Sequence, residues 1–286
     1  MARILIAGCG DIGCRLGKTL SHQGHDVFGI RRSSDQVPGE ITAIAADLFV
    51  PLPELPAKID YVYYIVSASA FNDMGYYRAY VLGLRNLIKA LDAQGLSTHL
   101  TRLFFISSSS VFTQNAGETV TEDSPTEGKN FASRRLLEAE ALALDSSIPA
   151  TIVRFGGIYG PGRTYLIDMV RKGHAHCMED VYSNRIHTDD AVGILAHLLT
   201  VDPLEPIYIG VDNEPTLICD VYEWLAEQLS VSEIEHNEPT ENSRAQRGNK
   251  RLSNQKIRST GYTFKYPSFV EGYTDLIEQT HQESQA

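Results

Sequence analysis

Three glycines near the start of the chain have a spacing that suits the binding of phosphate groups. The segment GCGDIG places Gly8, Gly10 and Gly13 in a G-x-G-x-x-G pattern, directly after the apolar run RILIA and at the start of a helix-compatible stretch. In this context the glycines permit a tight turn, a close backbone approach to a pyrophosphate and close packing of helix on strand. The first N–H groups of the helix, at Asp11, Ile12 and Gly13, would face the phosphates with the positive end of the helix dipole. The pattern predicts a dinucleotide site; the alternative is a glycine-rich turn that serves packing alone.

An arginine pair at the end of the second predicted strand indicates which dinucleotide binds. NAD sites carry an acidic residue about 20 positions past the glycine loop, where it bonds to the ribose 2′-hydroxyl. This chain has Arg31 and Arg32 there, followed by Ser33 and Ser34. Guanidinium groups beside hydroxyls suit a 2′-phosphate, which needs positive charge and several donors. We expect NADP, with NAD as the alternative if the arginines are only a solvated pair. Asp47, at the end of the third strand, would face the adenine or else cap the next turn.

Alternating strand-like and helix-like segments must position these residues. Apolar runs predict strands in the segments RILIAG, HDVFGIR, ITAIAAD, YVYYIVS, RLFFISS, ATIVRFG and PIYIGV. Amphipathic patterns predict helices over residues 12–23, 75–94, 131–144, 189–199 and 217–229. This alternation indicates an α/β fold, a doubly wound parallel sheet with helices on both faces. We expect residues 1–160 to form the dinucleotide-binding domain and residues 161–286 a small substrate lobe, with residues from about 187 to 212 returning to the sheet.

The charge and hydropathy of the chain exclude several classes of partner. The 286 residues include 25 basic and 36 acidic side chains, a formal charge of −11, and basic residues cluster only in short pairs. This balance repels nucleic acid and acidic lipid surfaces. No segment approaches the length of a membrane span, and no signal-peptide-like segment is present. We expect a cytoplasmic protein with no nucleic acid or membrane partner.

The cysteines and histidines predict neither a disulfide nor a metal site. Cys9, Cys14, Cys177 and Cys219 are scattered without a paired metal spacing, which favours reduced thiols in a cytoplasmic protein. The segment HAHC places two histidines beside Cys177, but these groups do not make a closed ligand set for zinc. His187 is interpreted as a packing residue at a helix start, not as a general base.

Four segments beyond the glycine loop carry further motifs. LFFISSSSVF, TIVRFGGIYGPG, NRIHTDDAVGIL and NKRLSNQKIRSTGY follow it in this order. They resemble motifs of the extended branch of the short-chain dehydrogenase/reductase superfamily, the group of nucleotide-sugar epimerases and dehydratases. The resemblance extends from Ala2 to about Tyr273. It implies a Rossmann-type sheet with NAD(P) over the strand ends, and a C-terminal lobe that closes on the substrate.

The resemblance also implies catalytic positions, and several of them are altered. In the family, a serine on strand five and a Tyr-x-x-x-Lys pair transfer protons. The serine falls at Ser108, the tyrosine position holds Phe131, and the lysine position holds Arg135. Tyr80 stands where an asparagine is usual. Because Phe131 has no proton to donate, Ser108 and Tyr80 are the candidate substitutes, while Arg135 keeps a positive charge for the nicotinamide ribose. The alternatives are that the serine run satisfies backbone groups and that Tyr80 is a core residue.

Two functions from different classes agree with these residues. The first is an NAD(P)-dependent, epimerase/dehydratase-like oxidoreductase with an altered active site, acting on a sugar nucleotide or another small carbonyl or hydroxyl compound. The second is a non-catalytic module that binds NADP(H) or senses redox state without turnover. If the chain self-associates, the resemblance implies a homodimer through the helices over residues 75–94 and 131–144.

Overall fold

The apolar runs of the sequence form the strands of a central parallel sheet. The structure, a computed structural model, describes residues 1–178, 180–232, 234–236 and 248–283. Its strands are Arg3–Ala7 (β1), Asp26–Arg31 (β2), Thr42–Ala45 (β3), Tyr61–Tyr64 (β4), Arg102–Ser108 (β5), Glu118–Val120 (β6), Ala150–Phe155 (β7), Gly157–Tyr159 (β8), His176–Cys177 (β9), Tyr182–Ser183 (β10), Arg185–His187 (β11), Ile207–Gly210 (β12), Thr216–Leu217 (β13), Glu235–His236 (β14) and Lys250–Leu252 (β15). Seven of them form a parallel sheet in the order β12-β7-β5-β4-β1-β2-β3. These are the seven strands that the sequence predicts, and the doubly wound α/β fold is confirmed.

Helices are present in each of the five segments that the amphipathic patterns indicate, and also in segments for which the sequence predicts none. They are Asp11–His22 (α1), Asp73–Tyr76 (α2), Gly83–Ala93 (α3), Phe131–Leu144 (α4), Tyr165–Arg171 (α5), Thr188–His197 (α6), Ile218–Gln228 (α7), Gln255–Ser259 (α8) and Phe269–Glu283 (α9). Helix α4 begins at the predicted residue because Asn130 and Ser133 form a capping box: the Asn130 side chain accepts from the Ser133 N–H at 2.9 Å. Within the described residues, no helix combines the length and hydropathy that a membrane crossing requires.

The chain divides into two compact units, each with its own core. Unit 1 comprises residues 1–111, 126–154 and 192–208, and unit 2 comprises residues 112–125, 155–191 and 209–286. In unit 1, apolar side chains of α3 and α4 pack on those of β1, β4 and β5, with Tyr64 and Phe105 fully buried. In unit 2, side chains of α5, α7 and α9 form the core around Tyr159 and Tyr273, whose rings stack at 4.4 Å.

The helical segment after β4 contains one wide turn that the sequence does not predict. Residues Tyr77–Leu82 are π-helical and lie between α2 and α3. The Tyr64 hydroxyl donates to the Ala79 carbonyl at 2.5 Å, and a Cβ on Gly83 would lie 2.3 Å from that hydroxyl. Because a side chain that enters the helical ladder displaces the usual hydrogen-bond pattern, the Tyr64 hydroxyl accounts for the wide turn, and the absence of a side chain at Gly83 gives it room.

The expectation of four reduced thiols is wrong for two of the cysteines. Cys177 ends β9 and Cys219 lies near the start of α7, and they form a disulfide with Cα atoms 4.8 Å apart. The two residues are 42 positions apart in sequence, so only the packing of β9 on α7 brings them together. Cys9 and Cys14 remain thiols.

Two predicted irregular segments fall largely outside the described residues. The sequence favours a polar loop over residues 233–251 and a frayed tail over residues 281–286. Of these, residues 233, 237–247 and 284–286 lie outside the part of the chain that the structure describes. The described part of the first segment includes β14 and β15.

We predict that Gly83→Ala destabilises unit 1 only while the Tyr64 hydroxyl is present. In the wild-type background the new Cβ overlaps that hydroxyl, and overpacking of this kind costs about 1–3 kcal/mol. In a Tyr64→Phe background the overlap is gone, and alanine in place of glycine within a helix then stabilises by about 0.5–1 kcal/mol. Urea unfolding of wild type, both single variants and the double variant measures the change in the free energy of unfolding.

The neighbouring strand residue Tyr63 offers a matched control. Its buried hydroxyl donates to the Leu195 carbonyl at 2.8 Å and does not enter the helix after β4. In a Tyr63→Phe background, Gly83→Ala should still destabilise the protein. An equal cost of Gly83→Ala with and without the Tyr64 hydroxyl would contradict the proposed origin of the wide turn.

Candidate functional site

The candidate cofactor site lies at the carboxyl edge of the sheet, where the strand order reverses. β1 has β2 on one side and β4 on the other, so the chain changes sides of the sheet between β3 and β4. Open α/β sheets bind ligands in the crevice that forms at such a switch point. A cavity of about 230 Å³ is present here, and the predicted residues Gly8, Gly10, Arg31, Arg32 and Asp47 all line it.

The glycines of the first loop meet different steric demands. Gly8 has a φ of 98°, and a Cβ there would lie 2.2 Å from the Ile65 carbonyl oxygen. A Cβ on Gly13 would lie 2.5 Å from the Gly8 carbonyl oxygen. At Gly10, in contrast, a Cβ would meet no atom within 4 Å among the described residues beyond its chain neighbours. Gly8 and Gly13 therefore allow backbone to pack on backbone, while Gly10 leaves open space beside the loop.

The start of α1 presents backbone donors to that space. Gly10 is its N-cap residue, and within the described residues no side chain caps the helix. The sequence predicts Asp11 and Ile12, in the first turn of α1, as two of these donors. The Asp11 carboxylate accepts a hydrogen bond from the Arg15 Nε at 2.9 Å, and the Ile12 side chain is buried in the core. Both would contribute to a ligand through their main-chain N–H groups, which the helix dipole makes favourable for an anion.

The arginine pair after β2 has one anchored and one exposed member. The Arg31 guanidinium donates to the Cys9 carbonyl at 3.1 Å and also contacts the backbone and side-chain oxygens of Gln36. Arg32 is exposed. Asp47 accepts a hydrogen bond from the Phe49 N–H at 2.9 Å, so its carboxylate caps the turn after β3. Capping this turn is one of the two roles that the sequence predicts for Asp47, and contact with the adenine is the other.

An aromatic cluster surrounds the first residue of α4. The ring of Phe131 lies 5.1 Å from that of Phe71 and 5.4 Å from that of Tyr76, and Tyr76 in turn lies 5.3 Å from Tyr80. Burial raises the pKa of Tyr80, and the neighbouring Tyr76 raises this pKa further. The cluster is partly open, because the side chain of Phe71 is 73% exposed. It offers an apolar aromatic surface in which Tyr76 contacts the ring of Phe131 edge to face.

Arg135 is held by two acidic side chains. Its Nε and one terminal nitrogen donate to both carboxylate oxygens of Asp73, at 2.8 and 3.0 Å, and the other terminal nitrogen donates to Glu138 at 2.7 Å. The guanidinium also lies 5.1 Å over the ring of Tyr77. The hydrogen bond from Arg135 lowers the pKa of Asp73, and the bonds to Asp73 and Glu138 raise the pKa of Arg135. Arg135 is therefore positively charged and fixed in orientation.

Of the serines that end β5, Ser107 faces a buried ion pair. The Ser107 hydroxyl donates to Glu140 at 2.6 Å, and Glu140 accepts two further bonds from Arg154 at 3.1 and 2.7 Å. The predicted catalytic residue Ser108 is half-buried, and its Oγ accepts from the Ser110 N–H at 3.2 Å. The turn that follows β5 packs against α4. Ser107 is thus structural, and Ser108 satisfies a backbone group while its hydroxyl proton stays available for another acceptor.

Two residues at this site are absent from the set predicted from the sequence. Asp73 binds Arg135, and Tyr76 contacts Phe131, yet both lie outside the motifs of the family resemblance. Their placement follows from a helix start, since the Asn72 side chain accepts from the Gly75 N–H at 2.8 Å. The Asn-Asp pair before an amphipathic stretch is the local signal that could have identified this start.

In unit 2, polar residues near β11 fasten one loop to α6. The Asp190 carboxylate accepts from the Tyr262 hydroxyl at 2.9 Å and from the Tyr266 N–H at 2.9 Å. His187 is 1% exposed, and its ring lies 3.9 Å from that of Tyr266. This packing agrees with the structural role expected for His187. Among the described residues, no group of His, Cys, Asp and Glu side chains is arranged to hold a metal ion.

Comparisons with known proteins agree with this fold. Protein YeeZ of Escherichia coli strain K12 is 26% identical over 217 residues, which are 70% of this chain and 73% of YeeZ. A structure from Methylobacillus flagellatus, described as an NAD-dependent epimerase/dehydratase, is 32% identical with a TM-score of 0.78 over 98% of this chain and 99% of that chain. MoeE5, solved with UDP-glucuronic acid and NAD, is 21% identical with a TM-score of 0.80 over 98% and 99% of the two chains. A model of the NAD dependent epimerase/dehydratase family matches residues 4–201. The chain belongs to the NAD-dependent epimerase/dehydratase family.

Proposed function

We propose that the protein is an NADP-dependent enzyme of the epimerase/dehydratase type whose proton-transfer residues differ from the usual set. The observation that carries the proposal is the geometry of the glycine loop, Gly8, Gly10 and Gly13, at the switch point of the sheet. Gly8 and Gly13 pack backbone on backbone, and Gly10 leaves open space in front of a helix start that no described side chain caps. These features fit a pyrophosphate, because its oxygens can approach the main-chain donors closely.

The arginine pair supports NADP over NAD. Both arginines line the cavity beside the glycine loop, in a chain whose formal charge is −11. We assign the 2′-phosphate contact mainly to Arg32, which is exposed, while Arg31 is anchored on Cys9 and Gln36 and orients the loop. When bound, the nicotinamide ring would supply the donor or acceptor of a hydride.

The residues in and beside the aromatic cluster would pack on the nicotinamide ring, contact its ribose and transfer protons. Phe131 offers a ring for packing but no hydroxyl, and Arg135 offers a fixed positive charge for the nicotinamide ribose. We assign proton transfer to Ser108, with Tyr80 as the second candidate. The raised pKa of Tyr80 keeps its phenol protonated near neutral pH, so Tyr80 would act as a proton donor only, and as a weaker one than an ordinary tyrosine, which is why we place it second.

A second candidate function is a module that binds NADP(H) without turnover. The specific observation in its favour is the engagement of Arg135, whose guanidinium donates to Asp73 and Glu138. In the usual arrangement a cation beside the tyrosine makes the phenol a usable acid or base, whereas here the charge of Arg135 is paired with two carboxylates and residue 131 has no phenol. The two functions differ in turnover and agree in cofactor binding.

For the enzyme, we propose a sugar nucleotide or another small carbonyl or hydroxyl compound as substrate. The support is family membership together with MoeE5, a protein of the same fold that was solved with UDP-glucuronic acid and NAD. We also propose that any self-association is a dimer through the helical segment over residues 75–94 and α4, the pairing that the family resemblance implies.

We predict that Arg32→Ala weakens NADP binding and leaves NAD binding unchanged. The loss of a hydrogen bond between charged partners is worth about 1.5–3 kcal/mol, which corresponds to roughly a 10- to 100-fold lower affinity. Isothermal titration calorimetry with NADP and NAD on both proteins measures this change. Wild type should bind NADP more tightly than NAD.

The control for this experiment removes an exposed positive charge elsewhere in unit 1. Lys89 is exposed on α3 and does not line the cavity. Lys89→Ala should leave the affinity for NADP unchanged. Equal affinities of wild type for the two dinucleotides, or an Arg32→Ala protein with wild-type affinity for NADP, would contradict the assignment.

We predict that Phe131→Tyr increases turnover with little effect on NADP affinity. The substitution returns a phenol to a position beside Arg135, one helical turn away. General acid–base catalysis contributes about 10²- to 10⁴-fold, so we expect at least about a tenfold gain, given that Asp73 partly neutralises Arg135. The measurement follows NADPH absorbance, as a gain when NADP oxidises a hydroxyl of UDP-glucose and as a loss when NADPH reduces a panel of small aldehydes and ketones. Chromatography of the UDP-sugar detects an epimerised product, which leaves the absorbance unchanged.

Phe71→Tyr is the matched control, because its ring also packs on Phe131, at 5.1 Å, and gains the same hydroxyl. It should leave turnover near the wild-type value. If wild type turns over rapidly and neither substitution alters the rate, the catalytic residues lie elsewhere. If no protein of the series turns over any probe while all bind NADP, the non-catalytic function is favoured.

A further inference from the structure

Two thiols enclose the segment of the glycine loop that would hold the phosphates. Cys9 lies between Gly8 and Gly10, and Cys14 directly follows Gly13. Their Sγ atoms are 3.3 Å apart, and the Cys14 thiol also contacts the Cys9 carbonyl at 3.1 Å. The two cysteines therefore flank the backbone N–H groups of the glycine loop, and their sulfur atoms are already in contact.

The surroundings of the two sulfur atoms differ in a way that suits stepwise oxidation. Cys14 is half-buried in the first turns of α1, and a terminal nitrogen of Arg31 lies 3.9 Å from its Sγ. A partly exposed thiol is more accessible to an oxidant than a fully buried one. Cys9 is fully buried, and burial, with a further contribution from Cys14, raises the pKa of Cys9 to about 12. Cys14 is therefore the thiol that an oxidant reaches first, and Cys9 is the neighbour that can resolve the product.

We propose that Cys9 and Cys14 form a peroxide-sensitive dithiol that closes to a disulfide across the glycine loop and thereby weakens dinucleotide binding. The disulfide itself depends only on the thiol geometry, whereas its effect on a ligand rests on the proposed function. The proposal adds a modification site to the loop, with hydrogen peroxide as the oxidant.

The chemistry balances as two thiols and one hydrogen peroxide giving one disulfide and two water molecules. The Cys14 thiolate attacks one peroxide oxygen, the O–O bond breaks, and the departing hydroxide takes up the proton that Cys14 lost. Cys14 is then a sulfenic acid. The Cys9 sulfur attacks the Cys14 sulfur, the S–O bond breaks, and the hydroxyl group leaves with the Cys9 proton as water. Overall, two electrons pass from the two thiols, which are oxidised, to the peroxide, which is reduced.

Closing this bond must move the glycine loop. A disulfide has an S–S distance of about 2.05 Å, so the two sulfurs must approach by more than about 1 Å from their present 3.3 Å. The Cys9 backbone is held on β2, because its N–H donates to the Ile30 carbonyl at 3.0 Å. The movement therefore falls on residues 10–14, whose main-chain donors face the open space beside Gly10. Arg31 also loses the thiol that lies within reach of its guanidinium.

The test combines disulfide mapping with a binding measurement on the full chain. The purified protein is treated with hydrogen peroxide, alkylated, digested and analysed by mass spectrometry, and NADPH affinity is measured by calorimetry before and after treatment. We expect a Cys9–Cys14 disulfide and a roughly 10- to 100-fold lower NADPH affinity, the loss that follows when a hydrogen bond to a charged phosphate is broken. Mild reduction should restore the affinity. The Cys177–Cys219 disulfide is followed in the same digest as an internal reference.

Each cysteine variant is compared with its own untreated form. Cys14→Ser and Cys14→Ala cannot form the bond, so peroxide should leave their NADPH affinity where it was before treatment; Cys9→Ser should accumulate a sulfenic acid at Cys14 that dimedone traps. The proposal is overturned if peroxide leaves both thiols free, if it yields only over-oxidised Cys14, or if the Cys14 variants lose affinity as wild type does. A disulfide that forms without any change in NADPH affinity overturns the proposed effect of the disulfide on dinucleotide binding. If the untreated protein does not bind NADPH, the proposed function fails and the effect on binding fails with it, while the mapping still decides whether the dithiol exists.

Discussion

The close approach of three backbone segments at the end of β1 is the constraint on which the candidate site depends. Gly8 lies against the segment that follows β4, and Gly13 lies against Gly8, both at distances that leave no room for a Cβ. The same contacts seat α1 on the sheet and hold its first N–H groups beside the cavity. Because packing and phosphate binding use the same atoms, a substitution at Gly8 would damage both.

At α4 the site is held together by a different kind of interaction. Arg135 and Asp73 form a two-point ion pair, with Glu138 on the other side of the guanidinium. This pair fastens α4 to the helix start at Asp73, and the rings of Tyr76 and Phe131 meet beside it. As proposed above, the arrangement keeps a positive charge but lacks the proton relay that a tyrosine and a lysine would provide. In our proposal, cofactor binding and proton transfer are therefore separable properties of this chain.

The sequence predicted the parts of the structure that local patterns determine. Buried parallel strands are continuous apolar runs, so all seven strands of the central sheet could be identified, and the amphipathic pattern gave the start of α4. Features that depend on residues far apart in sequence were missed. The π turn requires the Tyr64 hydroxyl opposite Gly83, and the ion pair joins Asp73 to Arg135 across 62 positions. The disulfide of unit 2 likewise follows from packing, and no cysteine spacing indicates it.

The most direct test of the account is a crystal structure of the protein with NADP bound. The account predicts a pyrophosphate at the glycine loop, a 2′-phosphate in contact with Arg32, and a nicotinamide ring beside Phe131 with its ribose near Arg135. Electron density that places the dinucleotide in this order along the carboxyl edge of the sheet would support the separation of binding from proton transfer. A dinucleotide bound elsewhere, or one whose nicotinamide ring lies away from Phe131, would contradict it.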